Sequence, residues 1–338
     1  MTAPGSDSER VTAVPQRRKP EAAEPVITVT NLVKTYGRIE ALRGVTVDIH
    51  RGEIFGCLGQ NGAGKTTMVK LLLGIIRATD GEATMLGEPA GTSSVRKRIG
   101  YLPEDHRFPD YHTGYSLLDF YGSLLEVPSG QKKSRIHEML ELVGLKKRMH
   151  SKIRTYSKGM KQRLGIAQAI FHNPEVIFLD EPTDGVDPRG RREIREMLLQ
   201  LKNEGKTIFL NSHLLGEVEL ITDRVCILDR GEMIRYGTTD ELTQQRGLFL
   251  IGLADGQQFP RDEVAKLGCT VMRADPHWEV GLKDGQSIDM VLDVLRDRGL
   301  KLRHLTEKRQ TLEDLFIQTV EAVEPGVDEP ARRRPPRD

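Results

Sequence analysis

Nine residues between positions 59 and 67 have the composition of a phosphate-binding loop. They fit the pattern G-x-x-x-x-G-K-[ST], whose glycines allow successive backbone N–H groups to turn inward around the phosphates of a nucleotide. An apolar run of strand length, 54–58, precedes the loop, and an apolar segment with a helical pattern, 68–76, follows it. The loop is therefore predicted at a strand-to-helix junction, where phosphate binding needs it. Its candidate nucleotide-binding residues are Gly59, Gln60, Asn61, Gly62, Ala63, Gly64, Lys65, Thr66 and Thr67.

An acidic pair follows a second apolar run. Residues 176–179 are continuously apolar, which is typical of a strand buried on both faces of a parallel sheet, and Asp180 and Glu181 come directly after them. Nucleotide hydrolysis needs Mg²⁺ held by the loop hydroxyl and an acidic residue, together with a group that orients water. We expect Thr66 and Asp180 to hold Mg²⁺, Lys65 to bind the β- and γ-phosphates, and Glu181 to polarise the attacking water. The alternative is an acidic pair and a proline that simply end a strand.

Residues 26–242 resemble the ATP-binding subunits of ABC transporters, because several short motifs occur in the order found in that family. The segment 156–160, Tyr-Ser-Lys-Gly-Met, is similar to the family's Leu-Ser-Gly-Gly-Gln signature, with lysine for the first glycine and methionine for the glutamine. The resemblance implies that Ser157 and Gly159 bind the ATP of a second subunit. Taken alone, Ser157 would be expected to cap a helix, whose positive end also attracts anions.

The resemblance assigns three further residues. Tyr36, within a turn predicted at 34–37, matches the aromatic residue that stacks on adenine. His213, at the end of the predicted strand 207–210, matches the histidine that contacts the γ-phosphate and holds the attacking water. Glu104 stands where the family usually has glutamine, and it is expected to approach Mg²⁺ and water while adding negative charge near the γ-phosphate. Alone, Tyr36 would be ordinary amphipathic surface and His213 a structural histidine.

The pattern of elements predicts an α/β protein. The resemblance implies a P-loop NTPase (RecA-like) core with a mixed sheet. Residues 115–145 have a helical pattern interrupted at 127–130, which indicates a helical subdomain inserted at about 105–170. We expect a disordered leader at 1–25, the ATPase domain at 26–245, a small C-terminal α+β domain of ferredoxin-like type at 246–322, and a disordered tail at 323–338.

Composition excludes several classes of protein. The chain has 338 residues, of which 38% are hydrophobic and 29% charged, so it is long enough for one large or two modest globular domains. A net charge of +1 gives no electrostatic reason to expect nucleic-acid binding. Three separated cysteines favour a reducing cytosol, and no apolar run has spanning length. The protein is expected in the cytoplasm, at the inner face of the cell membrane and attached only through a partner.

The expected partners and function follow from the resemblance. One copy of each motif implies a dimer, expected to be a homodimer, that closes two ATP molecules between its subunits and drives a separately encoded transmembrane permease. The signature variant and residues 311–316, Thr-Leu-Glu-Asp-Leu-Phe, look like the subfamily that serves ABC-2-type exporters. Two alternatives remain at this point: a soluble ABC ATPase acting on DNA or ribosomes, and a regulatory ATP-binding module with little hydrolysis.

Overall fold

The computed structural model describes residues 24–243, 247–283, 285–308 and 310–323. The leader predicted at the N-terminus lies outside the described residues up to position 23, and the tail lies outside them from position 324. The predicted domain boundary falls at 244–246, which are also not described. The leader, the tail and the boundary therefore stay predictions.

Regular secondary structure accounts for most of the described residues. The strands are β1 (Pro25–Tyr36), β2 (Ile39–His50), β3 (Ile54–Leu58), β4 (Asp80–Met85), β5 (Glu88–Pro89), β6 (Ile99–Leu102), β7 (Val176–Asp180), β8 (Thr207–Ser212), β9 (Arg224–Asp229), β10 (Glu232–Thr238), β11 (Leu248–Leu253), β12 (Thr270–Ala274), β13 (His277–Gly281) and β14 (Leu302–Glu307). The helices are α1 (Lys65–Leu72), α2 (Ser93–Arg96), α3 (Gly114–Leu124), α4 (Ser129–Leu142), α5 (Lys158–Ile170), α6 (Pro188–Asn203), α7 (Leu215–Glu219), α8 (Thr239–Thr243), α9 (Arg261–Lys266), α10 (Asp289–Asp297) and α11 (Leu312–Val323).

A six-stranded sheet forms the centre of the molecule, in the order β10-β9-β3-β8-β7-β6. Five of its strands are parallel, and β10 pairs antiparallel with β9, which confirms the predicted mixed sheet. Every residue of β3, β7 and β8 is buried, as expected for a sheet covered on both faces. Because β3, β8 and β7 are neighbours and run the same way, the segments that follow them meet at one edge of the sheet.

The two faces of this sheet bury different cores, because successive side chains of a strand point to opposite sides. On one face Phe209 packs between Phe55 and Phe178, with ring centroids 5.6 Å and 5.2 Å apart, beneath α1 and the antiparallel sheet β2-β1-β4-β5. On the other face Ile54 and Leu179 belong to a core shared with α3, α4, α5 and α6. The α/β class predicted from the sequence is confirmed.

Two local predictions were wrong. The turn predicted at 34–37 lies later in the chain, because β1 continues to Tyr36, which pairs with Ile39 of β2. The tight connection between them requires a left-handed backbone conformation, which Gly37 adopts (φ +59°). The helix predicted at 68–76 begins earlier, at Lys65, since the last residues of the phosphate-binding loop already form its first turn. It ends at Leu72.

The helical insert has the predicted form, two helices separated by a break and followed by α5. The N-terminus of α3 is a capping box, in which Thr113 and Ser116 exchange side-chain and backbone hydrogen bonds of 3.0 Å and 2.9 Å. Ser157 caps α5, since its Oγ accepts a 3.2 Å hydrogen bond from the N–H of Met160. The cap predicted at Ser157 is thus confirmed, and it sets the position at which α5 begins.

The C-terminal strands and helices follow the order β11-α9-β12-β13-α10-β14, with the antiparallel sheet order β12-β13-β11-β14. This is the ferredoxin-like arrangement. Helix α11 packs elsewhere: Leu312 and Phe316 are buried in the core that α3 to α6 share. The Leu312 N–H also donates to Glu219 Oε2 at 2.9 Å, at the end of α7. None of the helices in the described part of the chain is long and apolar enough to cross a membrane.

Candidate nucleotide site

The phosphate-binding loop connects β3 to α1, as predicted. Its conformation requires glycine at two positions: a Cβ on Gly59 (φ +150°) would lie 2.3 Å from the Leu228 carbonyl oxygen, and one on Gly64 (φ +107°) would lie 2.6 Å from the Ala41 carbonyl oxygen. Lys65 is 6% exposed, and its Nζ donates to the Gly59 carbonyl at 2.7 Å. The lysine ammonium is therefore held across the loop, where it can neutralise phosphate charge.

A cleft of about 250 Å³ brings the loop together with the predicted acidic residues. Parallel pairing of β3, β8 and β7 explains this, because the ends of these strands lie side by side. The proximity of loop, hydroxyl and carboxylates is the arrangement that nucleotide hydrolysis requires. The cleft is lined by Ala41, Gln60, Asn61, Gly62, Gly64, Lys65, Thr66, Thr67, Glu104, Asp180 and Glu181.

Asp180 is almost completely buried at this edge, with 1% of its surface exposed. Burial raises the pKa of Asp180, a hydrogen bond from Asn211 lowers it, and the negative charges of Glu104 and Glu181 raise it further. Asn211 Nδ2 donates to Asp180 Oδ1 at 3.2 Å, whereas Asp180 Oδ2 is a buried oxygen without a hydrogen-bond partner among the described residues.

These observations fit a divalent cation. Mg²⁺ prefers oxygen ligands, and Thr66 and Asp180 offer a hydroxyl and a carboxylate, the latter with an unpaired buried oxygen. A cation would also offset the repulsion among Asp180, Glu181 and Glu104. The donor set is thus suited to Mg²⁺, and Glu104 lies in the same cleft as predicted.

Glu181 is held in an unusual backbone conformation beside a histidine. It is 5% exposed and has φ +50°, a region that non-glycine residues rarely adopt. His213 Nδ1 lies 2.9 Å from Glu181 Oε2, and the His213 N–H and Ser212 Oγ each approach the same oxygen at 3.4 Å. His213 is 39% exposed at its side chain. The structure therefore brings together the two residues predicted to activate water, one at each of two adjacent strand ends.

Among the predicted residues outside the loop, Tyr36, Ser157, Gly159 and His213 do not line this cleft. Tyr36 is at the end of β1, 46% exposed, with Lys34 Nζ 4.8 Å from its ring centroid. Ser157 and Gly159 are at the start of α5, where a Cβ on Gly159 would meet Val186 at 3.2 Å. The start of α5 therefore packs against the loop that follows Glu181 and does not line the cleft of its own chain.

Sequence reasoning missed three residues at the site. Asn211 orients Asp180, and Gln162 of α5 donates from Nε2 to the Glu181 carbonyl at 3.2 Å.

The third residue, Phe316 of α11, lines a second cavity, of about 400 Å³, next to the phosphate-binding loop. The sequence offered one signal, the polar Asn211 directly before Ser212 and His213. The second cavity is lined by Gly59, Gln60, Asn61, His213, Leu215 and Phe316.

Comparisons with known proteins agree with this geometry. Residues 42–184 match the ABC transporter family model. An ABC transporter ATP-binding protein of Synechocystis is 39% identical over 316 residues, which cover 91% of this chain and 88% of that protein. The chain belongs to the ABC transporter ATP-binding proteins.

Two other members of the family give further detail. The bacitracin transport ATP-binding protein BcrA of Enterococcus faecalis is 33% identical over 310 residues, covering 88% of this chain and 97% of BcrA. The structure of CbiO1 from Clostridium perfringens, part of the ABC transporter complex CbiONQ, has a TM-score of 0.60 and 28% identity, and covers 64% of this chain and 90% of CbiO1. As an ABC transporter ATP-binding protein, the chain binds and hydrolyses ATP, and the predicted P-loop NTPase fold is confirmed.

Proposed function

We propose that two copies of this chain bind MgATP face to face and that their closure and hydrolysis power an export permease encoded separately. The observation that carries this proposal is the division of the motif residues between two places. Lys65, Asp180 and Glu181 line one cleft, whereas Ser157 and Gly159 lie outside it, at the start of α5. A single chain therefore offers half of a site, and a second copy supplies the missing anion-binding helix end.

Within one half-site the chain's own groups bind and orient ATP. The backbone N–H groups of residues 60–67 and the Lys65 ammonium hold the β- and γ-phosphates, and Tyr36 stacks on the adenine. Thr66 and Asp180, with Glu104 nearby, would hold Mg²⁺, which would neutralise charge that develops on the phosphates.

Glu181 and His213 act on the attacking water. The Glu181 carboxylate accepts its proton, and His213, at the end of the neighbouring strand, orients the water toward the γ-phosphate. The distance of 2.9 Å between His213 Nδ1 and Glu181 Oε2 supports this pairing. Ser157 and the N–H of Gly159 from the second copy then close over the γ-phosphate, so that hydrolysis requires the dimer.

The membrane partner is proposed to bind the helical insert. Tyr111, Phe120 and Leu124 are exposed to 70%, 54% and 67%, which is unusual for three large apolar side chains of one small segment. The loop at 104–111 connects this surface to the cleft through Glu104. Export is favoured by the resemblance to the subfamily that serves ABC-2-type exporters, and the similar protein BcrA is a bacitracin transport protein. The protein would then sit at the cytoplasmic face of the membrane through its permease alone.

The experiment that tests the nucleotide chemistry is Glu181→Gln in the full chain. Phosphate release should fall at least ~10²-fold, because the general base is lost, while ATP binding persists. Light scattering should then show an ATP-dependent dimer that accumulates because it cannot turn over. Glu204→Gln, at the exposed end of α6, is the matched control. Wild-type turnover in Glu181→Gln would disprove the assignment of the base, and a variant that stays monomeric with ATP would disprove the closed dimer.

The permease is tested through the apolar surface of the insert. A neighbouring reading frame that encodes about six apolar segments of spanning length supplies the candidate partner. The two proteins should copurify from membranes when expressed together. Phe120→Asp should abolish copurification without lowering the ATPase rate of the isolated chain, whereas Glu126→Gln, nearby on the same insert, should change neither. If the two proteins still copurify after Phe120→Asp, this surface is not the binding site of the permease.

A further inference from the structure

Helix α5 holds both ends of the turn that carries Glu181. This turn, residues 181–184, follows β7 directly, and the N–H of Asp184 donates to the Glu181 carbonyl at 3.2 Å. Gln162 Nε2 donates to the same carbonyl at 3.2 Å, and Lys158 Nζ lies 2.7 Å from Asp184 Oδ2. The first turns of α5 and the acidic turn are therefore one hydrogen-bonded unit.

The contact made by Gln162 is the stronger of the two connections. Gln162 is 4% exposed, so its amide cannot exchange the Glu181 carbonyl for water, and a buried donor left unpaired is costly. The side chains of Lys158 and Asp184 are 60% and 49% exposed, and water and salt weaken an ion pair of this kind. Gln162 is thus the residue of α5 that fixes the start of the turn.

Glu181 requires such support because its backbone is strained. Its φ of +50° is seldom occupied by a residue with a side chain, and surrounding contacts must maintain it. The Glu181 N–H donates to the Asn211 carbonyl at 3.0 Å, on β8, and the Glu181 carbonyl accepts from Gln162, on α5. The sheet and the helix thus hold the residue from opposite sides, and release of either would let its carboxylate turn away from His213.

We propose that Gln162 is a positioning residue for ATP hydrolysis, fixing the Glu181 backbone and thereby connecting the general base to α5. The inference rests on the proposed role of Glu181. The first residues of α5, Ser157 and Gly159, meet the nucleotide bound mainly by the second copy, whereas Gln162 contacts the base of its own chain. In the proposed dimer, α5 therefore contacts the nucleotide of one site and the general base of the other.

The test replaces Gln162 by Met, which preserves the length of the side chain and removes the donor. In the purified full chain, kcat should fall about 10-fold because the base is misplaced, while KM and the affinity for a fluorescent ATP analogue stay within about twofold of wild type. Gln168→Met makes the same chemical change on the same helix, away from the turn, and should leave kcat unaltered. Gln162→His keeps an N–H donor and should recover part of the lost rate.

A double variant, Gln162→Met combined with Glu181→Gln, distinguishes a positioning role of Gln162 from a general structural role. With the base already removed, adding Gln162→Met should cause no further loss of the residual rate. A wild-type kcat in Gln162→Met, an equal loss in Gln168→Met, or a further loss in the Glu181→Gln background would overturn the proposal. If Gln162→Met does not fold, Gln162→Glu, which replaces the donor by an acceptor, provides the test. It must lower kcat while KM and the affinity for the ATP analogue stay near the wild-type values, or the proposal fails. Full activity of Glu181→Gln would instead show that Glu181 is not the general base.

Discussion

His213 Nδ1 lies 2.9 Å from Oε2 of Glu181, across the ends of two adjacent parallel strands. The two side chains reach each other because β7 and β8 end level with one another, with Asp180 paired to Asn211. Glu181 is buried, whereas the His213 side chain is 39% exposed. A histidine placed in this way can orient both the carboxylate and a water or phosphate on its open side.

The first prediction concerns this pair. His213→Ala should lower kcat for ATP hydrolysis ~10²-fold, because Glu181 loses its partner and the attacking water loses a ligand. Binding of ATP should change little, since Lys65 and the loop backbone remain. Steady-state phosphate release and titration with a fluorescent nucleotide measure the two effects separately. His150→Ala, an exposed histidine of the helical insert, is the control, and equal rates in the two variants would contradict the role of His213.

The second prediction separates the two roles of Ser157. Ser157→Ala removes the cap of α5 and should lower the free energy of unfolding by about 1 kcal/mol. It should also prevent the ATP-dependent dimer and slow turnover, because the hydroxyl is proposed to contact the second nucleotide. Thr113→Ala removes the equivalent cap of α3 at a comparable cost in stability and should leave turnover unchanged. If both variants lose activity equally, Ser157 is structural only.

The sequence predicted the parts of the site that lie in short continuous motifs. Lys65, Asp180 and Glu181 were found because each follows a recognisable apolar strand, and parallel strands place their ends at one edge. Gln162 and Phe316 were not found, because each contacts a residue distant in the chain and lies in an ordinary helical pattern. Such contacts depend on how α5 and α11 pack, and neither periodicity nor capping signals determine that packing.

The third prediction concerns Phe316, which connects α11 to the nucleotide edge. Its side chain is 8% exposed and lines the cavity beside Gly59 and His213. Phe316→Ala should lower the free energy of unfolding by about 3 kcal/mol, since a large buried side chain leaves a cavity. Ile317→Ala, on the 46% exposed neighbour, should cost much less. Urea unfolding measures both, and equal costs would contradict the packing of α11.

The last prediction is a pH dependence at Glu175. Hydrogen bonds from Arg98 at 2.6 Å and Arg51 at 3.1 Å lower the pKa of Glu175 below its ordinary value of 4.5. A carboxyl group with a depressed folded-state pKa stabilises the protein above its ordinary pKa, and this contribution is lost as the pH falls through the folded-state value. Because the Glu175 side chain is 38% exposed, solvent screening limits the contribution to less than about 1 kcal/mol.

Glu175→Gln should therefore reduce the free energy of unfolding at pH 7, and the difference from wild type should shrink below pH 4.5, where the carboxylate of the unfolded chain is itself protonated. Urea titrations at several pH values measure this difference. In an Arg98→Met background the effect of Glu175→Gln should be smaller at pH 7, since the nearer of the two guanidinium groups is gone. A difference that stays constant from pH 7 to pH 4 would show that the glutamate contributes through packing and not through its charge.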